Sequence, residues 1–539
     1  MLLSSRAQPP RALKDFPRPN RSNLSVKQFL LSSPLPSPAL PALVPRHGKK
    51  PPPFNTRRAL RTLSWLAIII SCYYIASLVV HTARDSNPAR LPALSYLATS
   101  KPDQLVVDSE LPEYPTPIAV VDKRNRQKWT ISIPDKLGFP LEAADYADIC
   151  AHVPEVANHI SSNDISTTFL DVDEAQHSGL LPPSPEAHSK YALPVCSRTL
   201  IYVLDATDAG LGSTLMGLWL SYSLAKAESR EFFVDDRNFA YGRYSSYFLA
   251  PPKPKCRPPP PAHRVPCPAQ AKHLVVSAAT HPYIFGSEFH AKYSMTEIFA
   301  MARRGYKTLF HLRDDDAEYA DLRLAELRSP SSKVVGVHVR RGDRHPFTLT
   351  YARAYLPSTI YSSAAESLAS TLSTDSITTI LASDDPEFYA PDSPLNYPRA
   401  QSRITLASKS TLSDGSLGWE GGFFAALFWN LGLPAEAEWQ KRIGSPLPSR
   451  MVAEMGEEHR NERDYRSRPT DEAVQMRQLI GRAYLLDLKV LGSSDAVVCA
   501  VSSHTCRLLA VMLGEEAVKD GRWKNVDEGY PWIAIGENM

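Results

Sequence analysis

The sequence lacks a strong net charge. Its 60 Lys and Arg residues nearly balance 57 Asp and Glu residues, which leaves a formal charge of +3 over 539 residues. This balance provides no overall attraction for a polyanion, so we expect no nucleic acid among its partners. Any basic function must be local, and the chain is long enough to form two or three domains.

Long uncharged hydrophobic runs are also scarce, and one run is long enough to cross a membrane. Residues 62–80 contain no charged residue, and a helix of this length spans about 30 Å of hydrocarbon. We predict a transmembrane helix over residues 62–81. Arg57, Arg58 and Arg61 precede it and place the N-terminus in the cytosol. A buried core helix and a matrix-targeting peptide are the alternatives.

Residues 1–61 contain many prolines and arginines but few large apolar side chains. Such a segment buries too little surface to offset the entropy lost on ordering, and we predict a disordered cytosolic tail. Residues 82–140 are polar with scattered prolines, which predicts a stem that ends where a folded core begins near Leu141.

Cysteine is infrequent, with 7 residues in the chain, and 6 of them follow the predicted span. In an oxidising lumen this even set predicts up to three disulfides, and the short separation of Cys499 and Cys506 indicates one local pair. The pairing of the other four stays open. No Asn-x-Ser/Thr acceptor follows the span, so we expect no N-glycan on this part.

Two regions of alternating strands and helices are predicted, over residues 141–330 and 331–539. In the first region, residues 199–204 form an apolar strand, the turn 205–212 follows, Ser213 caps a helix, and residues 231–234 form the returning strand. In the second region, strands over 334–339, 378–382 and 495–501 each end in a polar turn. The pattern predicts an α/β fold with two Rossmann-like domains.

Polar residues cluster where the strand 334–339 ends. His338 lies in the strand, and Arg340, Arg341 and Asp343 follow it, at the edge where open parallel sheets bind ligands. The planar guanidinium groups of adjacent arginines match a diphosphate. An internal network of ion pairs with Asp or Glu explains the arginines equally well. The tripeptide 341–343 also matches an adhesion motif, but it adjoins a strand within a folded domain.

The predicted substrate-binding set includes residues at other strand ends and at helix starts. Glycines in the first turn and serines before a later helix provide backbone N–H groups for an anion or a sugar, with helix capping as the simpler role of the serines. Asp487 lies in an apolar helix and is suited to guanine, or to an ion pair with Arg482. Besides His338, the set is Gly210, Gly212, Asp385, Asp487, Ser502 and Ser503.

Together these residues resemble a known family. The segment 337–343, which reads VHVRRGD, is similar to the HxRR motif of α1,2-, α1,6- and protein O-fucosyltransferases. The segments 382–386 and 486–507 resemble later motifs of the α1,6 branch, in the same order. The resemblance implies a GT-B-like fold and inverting transfer of fucose from GDP-fucose to a glycan or glycoprotein, without a required metal or other cofactor. With the predicted span and the arginines before it, we expect a single-pass type II membrane protein of the Golgi, or of the endoplasmic reticulum.

The resemblance also implies residue roles. Arg340 and His338 would contact the diphosphate and Arg341 would support their loop, while Asp487 would bind guanine and Ser503 a phosphate. It implies a disulfide between Cys499 and Cys506 as well. The catalytic set is therefore predicted to be Arg340, Arg341 and Asp343.

Two departures from the family pattern bear on acceptor chemistry. The glutamate that serves the α1,6 enzymes as base is missing after the arginine pair, and the candidates are Asp343, His345 and Glu420. The chain ends soon after the last motif, so we expect no C-terminal SH3 domain. The alternatives are a pseudoenzyme that binds a sugar nucleotide or glycan, and a metal-dependent transferase using Asp314–Asp316 or Asp235 with Asp236.

Overall fold

A computed structural model describes part of the chain, all of it within the unit Ala89–Met539. The predicted tail, the predicted span, residues 82–111 of the predicted stem, and Asp343, His345 and Glu420 lie outside the described residues. No helix in the described part is long and apolar enough to cross a membrane. The described residues are 112–121, 126–158, 160, 168–179, 193–205, 210–328, 332–341, 356–372, 376–405, 428, 469–527 and 530–535.

The chain forms a mixed α/β structure with parallel sheets. The strands are β1 Thr116–Val121, β2 Gln127–Ser132, β3 Thr199–Val203, β4 Glu231–Asp235, β5 His273–Val276, β6 Lys333–Val339, β7 Ile377–Ser383, β8 Ala496–Cys499 and β9 Trp523–Asn525. The helices are α1 Ala143–Ala157, α2 Val172–Ser178, α3 Leu211–Ala227, α4 His281–Ile284, α5 Ser287–Lys292, α6 Met295–Leu309, α7 Asp314–Leu327, α8 Ser358–Thr371, α9 Asp471–Gly492, α10 His504–Leu513 and α11 Glu515–Lys519.

Two parallel sheets determine where polar residues meet. One has the strand order β4-β3-β5 and the other β7-β6-β8-β9. All residues of β3 and all but the first of β6 are buried, as expected for strands covered on both faces. The strands predicted near residues 199, 231, 334, 378 and 495 are confirmed to within two residues at each end. The division of the chain at residues 330 and 331 stays a prediction.

Helix α3 begins earlier than the sequence predicts. Its N-cap is Gly210 and Ser213 lies inside the first turn, so the prediction that Ser213 caps this helix is wrong. The Thr214 hydroxyl donates to the carbonyl oxygens of Asp205 at 2.9 Å and Gly210 at 3.3 Å. The first of these bonds connects the start of α3 to Asp205, two residues after the end of β3.

The folded core also begins before Leu141. Strands β1 and β2 pair in antiparallel orientation within the region predicted to be stem. Trp129 of β2 is fully buried and its ring lies 4.8 Å from that of Phe169. Because a fully buried tryptophan contributes several kcal/mol of packing, on the order of 3–5 by truncation data, this hairpin belongs to the fold. The prediction of a stem through residue 140 is therefore wrong from Thr116 onward.

Helices from both regions pack into one hydrophobic cluster. It includes Leu200 of β3, Trp219 of α3, Val334 of β6 and Leu509 of α10. Helix α3 contacts α6 and α10, and α9 contacts α7 and α10. A Cβ atom at Gly305 of α6 would lie 2.1 Å from the Trp219 carbonyl oxygen, so only glycine allows this close approach of α6 to α3.

Three disulfides join the cysteines that follow the predicted span. Cys499 pairs with Cys506, as predicted. The four cysteines whose pairing the sequence leaves open form the bonds Cys150–Cys267 and Cys196–Cys256. The proline-rich loop 251–268 is thus tied to two other parts of the fold, which limits its movement in an oxidising compartment.

Candidate active site

Arg340 and Asp384 meet at the carboxyl edge of the four-stranded sheet. Strands β6 and β7 pair with His338 opposite Ala382 and Val339 opposite Ser383, so the next residues on each strand become neighbours. The Arg340 guanidinium forms an ion pair with Asp384 Oδ2. Asp384 Oδ1 accepts the backbone N–H of Arg341 at 2.9 Å. One carboxylate therefore holds both the side chain of Arg340 and the backbone after it.

This ion pair with Asp384 matches the alternative role of the arginines, which is to pair with an acidic residue of the same chain. The Arg340 side chain nevertheless remains 37% exposed, so part of it is accessible to a ligand. The Arg341 guanidinium lies 4.7 Å from the centre of the Phe388 ring, in cation–π contact. The two arginines thus have different surroundings, one at the surface of the site and one against an aromatic ring.

His338 is buried beneath the arginine pair. Burial lowers the pKa of His338 to about 4, with Asp384 raising it and Arg340 lowering it further. The imidazole is therefore neutral at physiological pH, and one ring nitrogen can donate while the other accepts. Its Nδ1 atom has no hydrogen-bond partner in the part of the chain that the structure describes. A buried, unpaired nitrogen at a strand end is a group that a ligand could satisfy.

The N-termini of α3 and α10 converge at Gly212. A Cβ atom at Gly212, in the first turn of α3, would lie 3.1 Å from His504 Cβ and 3.5 Å from the Thr505 nitrogen, in the first turn of α10. It would also lie 3.0 Å from the Tyr484 hydroxyl. Glycine at this position lets the two helix starts approach closely, and the positive ends of the two helix dipoles favour an anion there.

Tyr484 connects this convergence to Arg340. Its hydroxyl lies 3.1 Å from Thr505 Oγ1. Burial raises the pKa of Tyr484 to about 12, while the Thr505 hydroxyl and the Arg340 guanidinium act in the opposite direction. The charge of Arg340 thus acts on the Tyr484 hydroxyl, which lies close to the contact between α3 and α10.

The serines before α10 have structural partners. Ser503 is the N-cap, and its hydroxyl accepts the Thr505 N–H at 3.3 Å, which matches the simpler capping role. The Ser502 N–H donates to Asp527 Oδ2 at 2.7 Å, and the Ser502 side chain is exposed. The disulfide Cys499–Cys506 spans both residues and fixes the turn between β8 and α10. Ligand contacts of these serines stay predictions.

Asp487 projects from α9 toward the segment that follows β7. Its Oδ1 atom accepts the backbone N–H of Gln401 at 3.2 Å. Burial raises the pKa of Asp487 to about 7, and the Gln401 N–H and the Arg399 guanidinium lower it. Arg482 instead binds Asp316 through three hydrogen bonds of 2.7–2.9 Å, so the predicted alternative of an Asp487–Arg482 ion pair is wrong.

Tyr389 packs at the carboxyl end of β7, where its hydroxyl accepts the Ser383 N–H at 2.6 Å. Both Asp487 and Asp384 raise its pKa, after the larger effect of burial. Asp385, which the sequence assigns to substrate binding, is 2% exposed, and its N–H donates to Ser383 Oγ at 3.0 Å. The neighbouring Asp384, and not Asp385, forms the ion pair with Arg340. The substrate role of Asp385 stays a prediction.

Three of the five acidic residues considered for a metal are bound to arginines. Asp314 and Asp315 begin α7, and Asp316 in its first turn binds Arg403 and Arg482. Asp235 pairs with Arg237 and Asp236 with Arg243. Within the described ranges, no group of three or more His, Cys, Asp or Glu side chains is arranged to hold a metal ion.

Three residues of this edge are not singled out by the sequence. Asp384 could be found by aligning the ends of two parallel strands, because it follows β7 as Arg340 follows β6. Tyr484 has a weaker signal, one helical turn before Asp487 on α9. Gln401 has none, since it precedes Asp487 by 86 residues.

No protein-family model and no curated protein match this chain. Similar solved structures include the NodZ alpha-1,6-fucosyltransferase soaked with GDP-fucose, at 14% identity and a TM-score of 0.31, covering 59% of this chain and 92% of that one. NodZ co-crystallized with GDP is 14% identical, with a TM-score of 0.29, and the match covers 58% of this chain and 91% of that one. Fucosyltransferase NodZ from Bradyrhizobium is 15% identical, with a TM-score of 0.28, and the match covers 58% of this chain and 92% of that one.

Proposed function

We propose that this protein transfers fucose from GDP-fucose to a glycan, with Arg340 as the group that stabilises the departing diphosphate. The observation that carries the proposal is the position of Arg340. Asp384 holds its guanidinium at the carboxyl ends of β6 and β7. The charge of Arg340 acts to lower the pKa of Tyr484, whose hydroxyl adjoins the N-termini of α3 and α10. A fixed cation and two positive helix ends are suited to a group with two adjacent phosphates.

The chemistry follows from charge development. When the bond between the sugar's anomeric carbon and the phosphate oxygen breaks, its electron pair leaves with GDP and negative charge grows on the β-phosphate. A cation already held in place stabilises this charge more in the transition state than before it. His338 contributes a neutral ring that can donate one hydrogen bond, because burial lowers its pKa to about 4.

Guanine recognition is assigned to Asp487. A carboxylate accepts hydrogen bonds from both the N1–H and the exocyclic amine of guanine, whereas adenine offers no such pair of donors. Asp487 lies near the carboxyl end of β7, since it accepts the N–H of Gln401, two residues after Arg399. The Arg399 guanidinium lies 3.6 Å from the centre of the Tyr389 ring, and the Tyr389 hydroxyl accepts the Ser383 N–H at the end of β7. The partial burial of its carboxylate would give the two hydrogen bonds more weight than they have in water.

The membrane topology, the location, the acceptor and the stereochemistry are proposed from features of the sequence. An uncharged run over residues 62–80, with arginines before it, fits a type II membrane protein of the Golgi, and the resemblance of the motifs fits an N-glycan-like acceptor and inversion. No metal cofactor is required in this scheme, because Arg340 and the helix N-termini carry the charge stabilisation.

The test is release of GDP from GDP-fucose by the purified full chain in detergent, in the presence of EDTA and a mixed pool of free N-glycans. We expect release that EDTA leaves unchanged. Release abolished by EDTA and restored by Mg²⁺ or Mn²⁺ would contradict the metal-free scheme. Tight binding of GDP without any release would instead support the alternative of a sugar-nucleotide-binding pseudoenzyme.

A further inference from the structure

The carboxylate of Asp316, in the first turn of α7, joins three parts of the chain. Asp316 is 3% exposed. Its oxygens accept three hydrogen bonds of 2.7–2.9 Å from the Arg482 guanidinium on α9. They also accept one of 3.2 Å from Arg403, in the segment that follows β7. One buried carboxylate therefore holds both α9 and this segment against α7.

The segment 399–403 is bonded to both β7 and α7. The Ala400 N–H donates to the Leu381 carbonyl oxygen of β7 at 2.7 Å. The Arg323 guanidinium of α7 donates to the carbonyl oxygens of Arg399 at 2.8 Å and Ala400 at 3.3 Å. The backbone of the segment is thus fixed at its first two residues.

The last two residues of the segment bond to α7 as well. The Tyr319 hydroxyl accepts the Ser402 N–H at 2.8 Å. Arg403 donates to the Asp315 carbonyl oxygen at 2.8 Å, and its guanidinium lies 5.3 Å from the centre of the Tyr319 ring. Helix α7 therefore fixes the segment on both sides of its middle residue.

That middle residue, Gln401, holds Asp487 of α9. Gln401 is 5% exposed, and its N–H donates to Asp487 Oδ1 at 3.2 Å. Its side chain donates to the Ile404 carbonyl oxygen at 2.7 Å and accepts the Ile404 N–H at 3.0 Å. Arg482, which binds Asp316, precedes Asp487 on the same helix. Asp316 therefore holds both partners of the bond between Gln401 and Asp487.

The precise placement of the Asp487 carboxylate matters more for guanine than for stability. Buried ion pairs add little to stability compared with apolar residues of the same size, so the network around Asp316 is not explained by stability alone. Guanine presents its N1–H and its exocyclic amine side by side. Two parallel hydrogen bonds to one carboxylate require that carboxylate to be fixed in direction.

We propose that Asp316 is a positioning residue for guanine recognition and that it acts through the bond between Gln401 and Asp487. This role rests on the proposed function, in which Asp487 binds guanine. Without the Asp316 carboxylate, α9 and the segment 399–403 lose their common partner, and Asp487 must be ordered when the base binds. The diphosphate is bound elsewhere, so its own affinity should not change.

The experiment compares Asp316→Ala with Asp235→Ala in the purified full chain in detergent. Asp235 is the matched control, because its carboxylate also lies near two arginines, Arg237 at 2.5 Å and Arg264 at 4.0 Å. Calorimetry measures the Kd values for GDP, ADP and inorganic pyrophosphate. Asp316→Ala should raise the Kd for GDP roughly tenfold and keep the Kd for pyrophosphate within about twofold. Asp235→Ala should keep all three Kd values within about twofold.

A double variant tests whether Asp316 acts through Asp487. If it does, Asp316→Ala should add no more than about twofold to the Kd for GDP once Asp487→Asn is present, because the two residues form one network. A further loss of roughly tenfold in the double variant would overturn the role.

Tyr319→Phe keeps the test open if Asp316→Ala does not fold. It removes the hydroxyl that accepts the Ser402 N–H and retains the ring beside Arg403. It should raise the Kd for GDP by about threefold and leave the Kd for pyrophosphate unchanged. An unchanged ratio of the Kd values for GDP and ADP in this variant would then overturn the role.

Failure of this role and failure of the proposed function give different results. The role is overturned if Asp487→Asn loses the preference for GDP over ADP while Asp316→Ala keeps it. Equal losses of GDP and pyrophosphate affinity in Asp316→Ala would also overturn it. A wild-type protein that binds neither GDP nor pyrophosphate would overturn the proposed function itself.

Discussion

Arg340 and Asp384 form an ion pair that joins the carboxyl ends of two adjacent parallel strands. The same sheet has a matching pair at its opposite edge, where Asp495 Oδ2 binds Arg328 at 2.8 Å and accepts the Val334 N–H at 2.9 Å. The exposed fractions of the two arginine side chains are 37% and 38%. One pair lies at the candidate site and the other away from it, so each serves as the control for the other.

Replacing Asp384 by Asn should weaken nucleotide binding more than it weakens the fold. The variant leaves Arg340 without its charged partner, so the guanidinium must be ordered when GDP binds, and we expect roughly a tenfold rise in the Kd for GDP. Partly exposed ion pairs contribute little to stability, so the free energy of unfolding should fall by about 1 kcal/mol or less. Titration calorimetry and urea denaturation measure the two quantities.

Asp495→Asn is the matched variant, because it too removes a carboxylate that holds one arginine and one backbone N–H. It should lose similar stability and keep its affinity for GDP. Equal effects of both substitutions on the Kd would mean that Asp384 acts only through the stability of the sheet.

Gly212→Ala should disturb the contact between the two helix starts. The new methyl group would lie 3.0 Å from the Tyr484 hydroxyl and 3.1 Å from His504 Cβ, closer than atoms normally pack. We expect a loss of about 1–2 kcal/mol in the free energy of unfolding, as for other overpacked positions. The affinity for GDP should fall by roughly tenfold, since the N–H groups of both helices would move apart.

Gly138→Ala provides the comparison, because no atom lies within 4 Å of its added methyl group. It should leave binding unchanged and shift stability by less than about 1 kcal/mol, in either direction. A Gly212 variant that behaves like this one would argue against convergence of α3 and α10 on a ligand.

Features that depend on residues close together in the sequence were predicted, and features that depend on distant contacts were not. The strand β6 was predicted because its apolar run is continuous, and the predicted pair of Cys499 and Cys506 is confirmed. The hairpin of β1 and β2 was missed because the chain around it is polar and rich in proline. Its stability comes instead from burial of Trp129 against Phe169, which is distant in the sequence.

In the candidate site, too, the residues of one local motif were predictable and the partners from distant segments were not. His338 and Arg340 follow from one motif at one strand end. The choice between Asp384 and Asp385 required the register of β6 against β7, which no single segment encodes. The partner of Asp487 is a backbone N–H in another part of the chain, and its raised pKa arises from burial that only the complete fold produces.

Asp487→Asn should stabilise the protein at high pH. Burial raises the pKa of Asp487 from 3.8 to about 7, so between these values the folded chain keeps a proton that the unfolded chain releases. The free energy of unfolding therefore falls as the pH rises from about 4 to 7. At pH 8 the variant should exceed wild type by on the order of 1–3 kcal/mol, and at pH 4 the difference should vanish. Urea denaturation at both values measures it.

The same variant should lose affinity for GDP, because an amide cannot accept both guanine hydrogen bonds without also presenting a donor. Asp520→Asn, which removes an exposed carboxylate near Arg522, should change neither property. A stabilised Asp487 variant with unchanged GDP affinity would show that this carboxyl is buried for a reason other than guanine.

The central claim is that Arg340 binds and stabilises the diphosphate of the donor, and comparing Arg340→Ala with Arg328→Ala tests it most directly. Both variants remove a similarly exposed arginine from an ion pair at an edge of one sheet. Arg340→Ala should raise the Kd for GDP at least tenfold and lower GDP release by roughly 100-fold or more, while Arg328→Ala should stay within twofold of wild type. Equal Kd values and equal release rates for the two variants would contradict the account.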